Sequence, residues 1–295
     1  MTADLGDHSL PPDLAEVARR ELNETPAART ECLIQFRRRL TRNALCYGTC
    51  SDDGGEEDGY YSAESSASSE EGVPDDRFLL RFLRSKKFDV QRSYAMYKNY
   101  HQFFRDHPEL SLGLDDIEKI RHVWDAGVVG GLKERDAHGR GVLLTFPGRW
   151  DPALHSLEDV LRALVLQLEF MIASEETQVR GFVLVADFTD FSLYQMRSLK
   201  PWYFQTMSTL MQNAFPARFK GVYIINQPWY MSVPLSIIRP FLSEKIKTRV
   251  NILGRDVRTL RSHFKTDTLP RELGGSCGVY EGRSWAELIV QAHSQ

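Results

Sequence analysis

The chain predicts an α/β protein: a helical N-terminal module followed by an α/β domain with a mixed or largely parallel sheet. Short runs of β-branched and aromatic residues at 142–146, 181–187 and 222–225 alternate with helical stretches at 157–172 and 193–214, the pattern of strands joined by crossover helices. The run at 181–187, GFVLVAD, stays apolar up to its final acid, as a strand covered on both faces does. Before residue 125 the apolar residues recur at helical spacing instead.

Taken in order, residues 13–45 read as helical with a break at 22–26, LNETP, and with Cys32, Leu33, Phe36 and Leu40 at helical spacing in a basic stretch. The composition then changes. Residues 51–76 hold ten Asp or Glu, six Ser and four Gly, with no Lys or Arg and little that is apolar beyond Tyr60 and Tyr61. Such a segment cannot offset the entropy of ordering, so 46–76 is expected to be a disordered acidic linker. Residues 78–100 suggest two short helices broken near Phe88 and Asp89, and a helix-and-loop region continues to Trp124. A strand at 142–146 follows the turn Asp136-Ala137-His138-Gly139. The helix at 157–172 is apolar on most of its circumference, interrupted only by Arg162, Gln167 and Glu169 among its inner positions, and must be largely buried.

The segment 215–249 is the most informative. Gly221 and the Asn226-Gln227-Pro228 turn bound the buried strand at 222–225. Ser232 is placed to cap a helix starting at Val233, with Pro234 tolerated in its first turn. Along that helix Tyr230, Pro234, Ile237 and Phe241 form one apolar stripe, while Leu235, Ile238 and Leu242 form another. Two apolar sides fit either a helix buried within a large domain or a lid. Between 218 and 261 there are nine Lys or Arg against two acids, a local balance of +7 in a chain of net charge −3. Basic residues beside an apolar stripe attract anionic lipid headgroups, at roughly 1 kcal/mol for each Lys or Arg near the surface. With the acidic linker set aside, the rest of the chain also balances at +7.

At 295 residues and 42% hydrophobic content the chain can bury one large core or two smaller ones. It has no run of 18 apolar residues and no secretory leader pattern, so a cytoplasmic, peripherally membrane-associated protein is expected. Cys32, Cys46, Cys50 and Cys277 have no histidine placed to complete a metal site, and neither disulfide nor zinc is expected. G-x-G-x-x-G, P-loop and H-E-x-x-H patterns are missing. Residues 274–278, GGSCG, match G-x-S-x-G but lack the preceding strand and the later acid and histidine that a hydrolase requires; Glu281, Glu287 and His293 follow only in a short tail.

With these elements in place, the chain resembles the CRAL-TRIO (Sec14-like) lipid-binding family, in the branch that carries tocopherol and retinaldehyde. FLLRFLRSKKFD at 78–89, FPARFK at 215–220, INQPWY at 225–230, RPFL at 239–242 and LPRELGG at 269–275 carry the likeness, which runs through 77–283 and more weakly through 13–45. The resemblance implies a helical segment at 1–45, the linker at 46–76, a helical module at 77–124, a lipid-binding domain at 125–283 and a tail at 284–295. It implies a sheet flooring a hydrophobic cavity closed by a helical gate at 229–245, no catalytic residue and no cofactor. The family's lining positions fall on Trp150, Leu161, Leu164, Val165, Leu168, Phe182, Ala186, Phe191, Leu199, Met207, Leu210, Met211, Phe215 and Val222. The gate and membrane face fall on Trp229, Tyr230, Pro234, Ile237 and Phe241, and a phosphoinositide-binding group on Arg218, Lys220, Lys245 and Arg249. Leu164 and Leu168 stand where some relatives carry small polar residues, Pro234 departs from the gate pattern, and the linker has no counterpart in it.

The implied function is a monomeric carrier that exchanges one hydrophobic ligand, tocopherol-like, retinoid-like or another lipid, at endosomal or other anionic membranes, without nucleic acid. The alternative is a regulatory interaction module with a vestigial cavity, whose acidic linker recruits a partner. Ser68 there lies in an acid-directed phosphorylation context, SSEE at 68–71.

Overall fold

The computed structural model describes residues 10–48, 74–111, 114–232, 236, 239–256 and 258–293. The acidic linker at 51–73 and the gate positions Pro234 and Ile237 lie outside the described residues. The chain forms two compact units, 1–98 and 99–295.

The first unit is helical. Helix α1 (Pro12–Leu22) starts on a proline, where a missing N–H costs nothing, and stops at Asn23, whose left-handed φ of 62° ends the ladder. Its Leu14, Ala18 and Leu22 recur every four residues and are buried. Helix α2 (Pro26–Gly48) contributes Leu33 and Phe36 to the same interior. Asp75 caps α3 (Asp76–Ser85) by accepting from the Phe78 amide at 2.7 Å, and Asp76 pairs with Arg37 at 2.9 Å, so the last two acids of the acidic run have structural partners. Lys87 and Phe88 both take left-handed φ, breaking the chain between α3 and α4 (Val90–Asp106) where the sequence places the break.

The second unit contains helix α5 (Leu114–Asp125) and a five-stranded sheet in the order β1-β2-β3-β4-β5: β1 (Val129–Gly131), β2 (Gly141–Thr145), β3 (Phe182–Asp187), β4 (Phe219–Ile225) and β5 (Val250–Gly254). Strand β1 pairs antiparallel with β2, and the remaining pairings are parallel, so the sheet is mixed. Each parallel step requires a crossover, and the strands follow one another across the sheet in sequence order. Right-handed crossovers taken in one direction leave all the connections on one face. Helix α6 (Leu157–Ala173), capped by Ser156, and α7 (Glu175–Arg180) make the first such connection.

Two elements differ from the sequence reading. The helix expected over 193–214 is three pieces: α8 (Leu193–Ser198), α9 (Pro201–Thr209) and a π-turn (Leu210–Ala214). Pro201 is the cause, because it disfavours a helical Lys200, which takes φ −108° and ψ 143°. A short helix α10 (Glu244–Lys247) precedes β5, and α11 (Arg258–His263) and α12 (Arg283–His293) follow it. The stretch read as a tail at 284–295 is thus mostly helix α12, with Trp285, Ala286 and Ile289 in the core and the Trp285 indole donating to the Gly131 carbonyl at 2.9 Å. The two compact units divide at Lys98/Asn99, and within the second α5 packs on α6 and α12.

Candidate functional site

Side chains alternate along a strand, so the register decides which residues share a face. Leu184 and Ala186 of β3 stand beside Val222 and Ile224 of β4, and these beside Val250 and Ile252 of β5. Gly141 and Leu143 of β2 continue the same face. Helix α6 covers it there: a Cβ on Gly141 would lie 3.1 Å from Met171 Cε. The opposite face, with Val183, Val185, Tyr223 and Ile225, belongs to the continuous apolar core, and Tyr280 packs on Phe146 at a ring separation of 4.9 Å.

Beyond the reach of α6 the α6-side face changes character. Ala186, Val222 and Ile224 are buried yet fall outside the continuous core formed by the described residues, Leu184 keeps partial exposure in the middle of a central strand, and Ile252 is 52% exposed. Strands β4 and β5 are parallel, so a crossover joins them, residues 226–249, of which 226–232, 236 and 239–249 are described. Its start is fixed at the C-terminal ends of the strands. There Asp187 Oδ1 accepts from the Thr189 amide at 2.9 Å, the Thr189 hydroxyl at 2.7 Å and Asn226 Nδ2 at 2.9 Å, while Asn226 takes a left-handed φ of 53°. Trp229 opens a 3₁₀ turn (Trp229–Met231) and is 86% exposed. Tyr230 is half-buried and its hydroxyl donates to the Phe191 carbonyl. Phe241, in a second 3₁₀ turn (Arg239–Phe241), is 46% exposed.

The fourteen expected lining residues separate into three groups. Trp150, Leu161, Leu164, Val165, Leu168, Phe182, Leu210 and Phe215 are packed into the continuous core. Ala186 and Val222 lie on the apolar sheet face, and Phe191 is buried in the loop after β3. Leu199, Met207 and Met211 are half-buried against the core. Tyr203 is half-buried, and burial pushes its hydroxyl up to about 12. A cavity of about 330 Å³ lies elsewhere, between Asp125, Gly127, Arg149, Tyr280, Glu281 and Arg283, and its charges are paired, Arg283 with Asp125 at 3.5 Å and Arg149 with Glu272 outside the lining at 2.6 Å.

The basic residues converge on the opposite end of the strands. Arg218 donates to the Val179 carbonyl, and its own carbonyl accepts from the Phe182 amide at 3.0 Å. Arg249 donates to the Phe219 carbonyl, and its carbonyl accepts from the Val222 amide at 2.9 Å. These bonds set Arg218, Lys220 and Arg249 at the N-terminal ends of β3, β4 and β5. Lys245 is exposed on α10, where a hydrogen bond from Lys247 holds the Glu244 carboxyl below its usual range. Sequence reasoning missed Ile224 and Leu184, which alternation within the strands would have exposed, and it missed the exposed Tyr194 and Trp202 of α8 and α9.

The CRAL/TRIO domain family matches residues 125–275, and the CRAL/TRIO, N-terminal domain family matches 47–99. Clavesin-1 of Xenopus laevis is 37% identical over 73% of this chain and 65% of its own length. Clavesin-2 of Homo sapiens is 35% identical over 73% of this chain and 66% of its own, and Clavesin-1 of Rattus norvegicus 34% identical over 95% and 73%. The chain thus spans about two thirds of the length of the first two. Among solved structures, Sfh5 superposes with a TM-score of 0.51 at 14% identity, over 74% of this chain and 81% of that one, a likeness of fold.

Proposed function

The chain belongs to the CRAL/TRIO family, and on that footing we propose that it is a non-enzymatic carrier that holds one hydrophobic molecule and exchanges it at phosphoinositide-containing membranes. The observation that carries this reading is the apolar sheet face of Ala186, Val222 and Ile224, buried yet outside the continuous core of the described residues, with half-buried Leu184 at its margin. A floor of this kind, apolar with few polar groups near it, suits a ligand of the same character, be it tocopherol-like, retinoid-like or another lipid. In this reading 229–245 is the gate, with Trp229, Tyr230, Pro234, Ile237 and Phe241 meeting the bilayer. Arg218, Lys220, Lys245 and Arg249 meet its headgroups. The protein then works in the cytoplasm and visits membranes peripherally; among the described residues no helix is long and apolar enough to cross one.

Mass spectrometry of the purified full chain tests the reading. A stoichiometric bound lipid, or uptake of lipid from donor vesicles, is the expected result. A protein that purifies empty and stays empty favours the second reading, a regulatory module whose acidic run recruits a partner. The core packing of eight expected lining residues speaks for that alternative.

A further inference from the structure

The π-turn Leu210–Ala214 ends α9 beside residues 241–243 of the connection between β4 and β5. Gln212, at the centre of that turn, is spliced into the backbone of the descending segment. Its Nε2 donates to the Phe241 carbonyl at 2.7 Å and to Ser208 Oγ at 2.5 Å, and its Oε1 accepts from the Ser243 amide at 2.5 Å. Ser208, buried on α9, donates its hydroxyl to the same Phe241 carbonyl at 2.7 Å. One side-chain amide thus satisfies both a carbonyl and an N–H two residues apart, as a neighbouring strand would. Ser243 is in turn the N-cap of α10, accepting from the Ile246 amide at 3.4 Å, and α10 carries Lys245. The other root of the segment is held by the Tyr230 hydroxyl on Phe191.

We propose that Gln212, supported by Ser208, is a latch: it positions residues 239–247 against the π-turn, and its release sets how fast that stretch, with α10, leaves the protein surface. The proposal rests on the carrier reading for its functional consequence but not for its mechanics. A π-turn suits the task, because the wider turn places a side chain where an α-helical continuation would not. The side-chain bonds of Gln212 go to Ser208 and to the backbone of Phe241 and Ser243, so it is a positioning residue.

The test uses the full chain. Gln212→Met keeps length and removes every hydrogen bond of the side chain, including the one to the Ser208 carbonyl at 3.3 Å; Gln212→Glu keeps an acceptor for the Ser243 amide and loses the donors; Ser208→Ala removes one of two donors to Phe241. Hydrogen–deuterium exchange of peptides covering 239–247 is expected to speed up about tenfold in Gln212→Met, less in the other two, with 219–225 unchanged. Wild-type exchange at 239–247 in Gln212→Met overturns the latch. The lipid that co-purifies is then followed by mass spectrometry during incubation with phosphatidylcholine vesicles containing phosphatidylinositol bisphosphate, where Gln212→Met is expected to lose it about tenfold faster. Faster amide exchange with unchanged lipid loss overturns the latch's role in transfer. If no lipid co-purifies with any variant, the carrier reading fails while the exchange result still decides the mechanics.

Discussion

Glu24 is buried together with Arg84, and the two meet at 2.8 Å while Arg29 reaches the same carboxylate at 2.7 Å. Removing the acid strands two guanidinium groups, one of them fully buried. Glu24→Ala is expected to destabilise the first unit by about 3–5 kcal/mol, read from denaturant unfolding. A second residue-scale effect concerns pH. Burial, with Arg105 adding to it, pushes the His101 imidazole down to about 4, against about 6.5 in an unfolded chain. The unfolded state therefore binds more protons between those values. Stability is full above about pH 6.5, falls as the pH drops toward 4 by an amount on the order of 2–3 kcal/mol, and then levels off for this group. His155, lowered by burial and then by His122, acts in the same direction. Unfolding free energy measured from pH 7.5 to 4 checks this, and His101→Gln should flatten the slope.

At the scale of elements, the tightest constraint is the start of β3. Gly181 takes φ +80°, and a Cβ there would lie 2.4 Å from the Arg218 carbonyl oxygen, which itself accepts the Phe182 amide. Gly181→Ala is expected to cost about 1–3 kcal/mol in thermal or denaturant unfolding and to splay the β3/β4 start that places Arg218 and Lys220. The central strands and α6 were legible because long apolar runs have few alternative readings. Strands β1 and β5 were not: Val129-Gly-Gly has no period to detect, and β5 mixes exposed Asn251 with exposed Ile252 at a sheet edge. Helix α12 hid behind a charged, short C-terminal stretch whose Trp285, Ala286 and Ile289 share a face only once the helix is granted. Of the candidate site, the basic residues were readable as a cluster in sequence, whereas Gln212 was not, since its partners are backbone groups about 30 residues away.

For the whole molecule, polarity along the strands organises the functional reading. One end of the sheet carries the Asp187, Thr189 and Asn226 bonds, the other Arg218, Lys220 and Arg249, and the connection 226–249 joins them. Arg218 and Arg249 also hold backbone carbonyls, so charge removal there disturbs the fold. The lysines separate the two effects: Lys220→Ala with Lys245→Ala is expected to weaken binding to phosphatidylinositol bisphosphate vesicles about 30-fold, at roughly 1 kcal/mol each, with bound lipid retained. Co-sedimentation with vesicles at low salt measures it, and loss of the bound lipid itself would count against these roles.

Among the described residues strand β5 is laddered on one side only, to β4, and its N-terminus is tied directly to the short helix that Ser243 caps. A tug on the strap is therefore transmitted to the rim of the sheet, while β2 and β3, hemmed in on both flanks, feel little of it. The outermost amides, from Val250 to Gly254, become a built-in strain gauge: their protection should flicker with each excursion of the strap, reporting the protein's breathing without any attached probe.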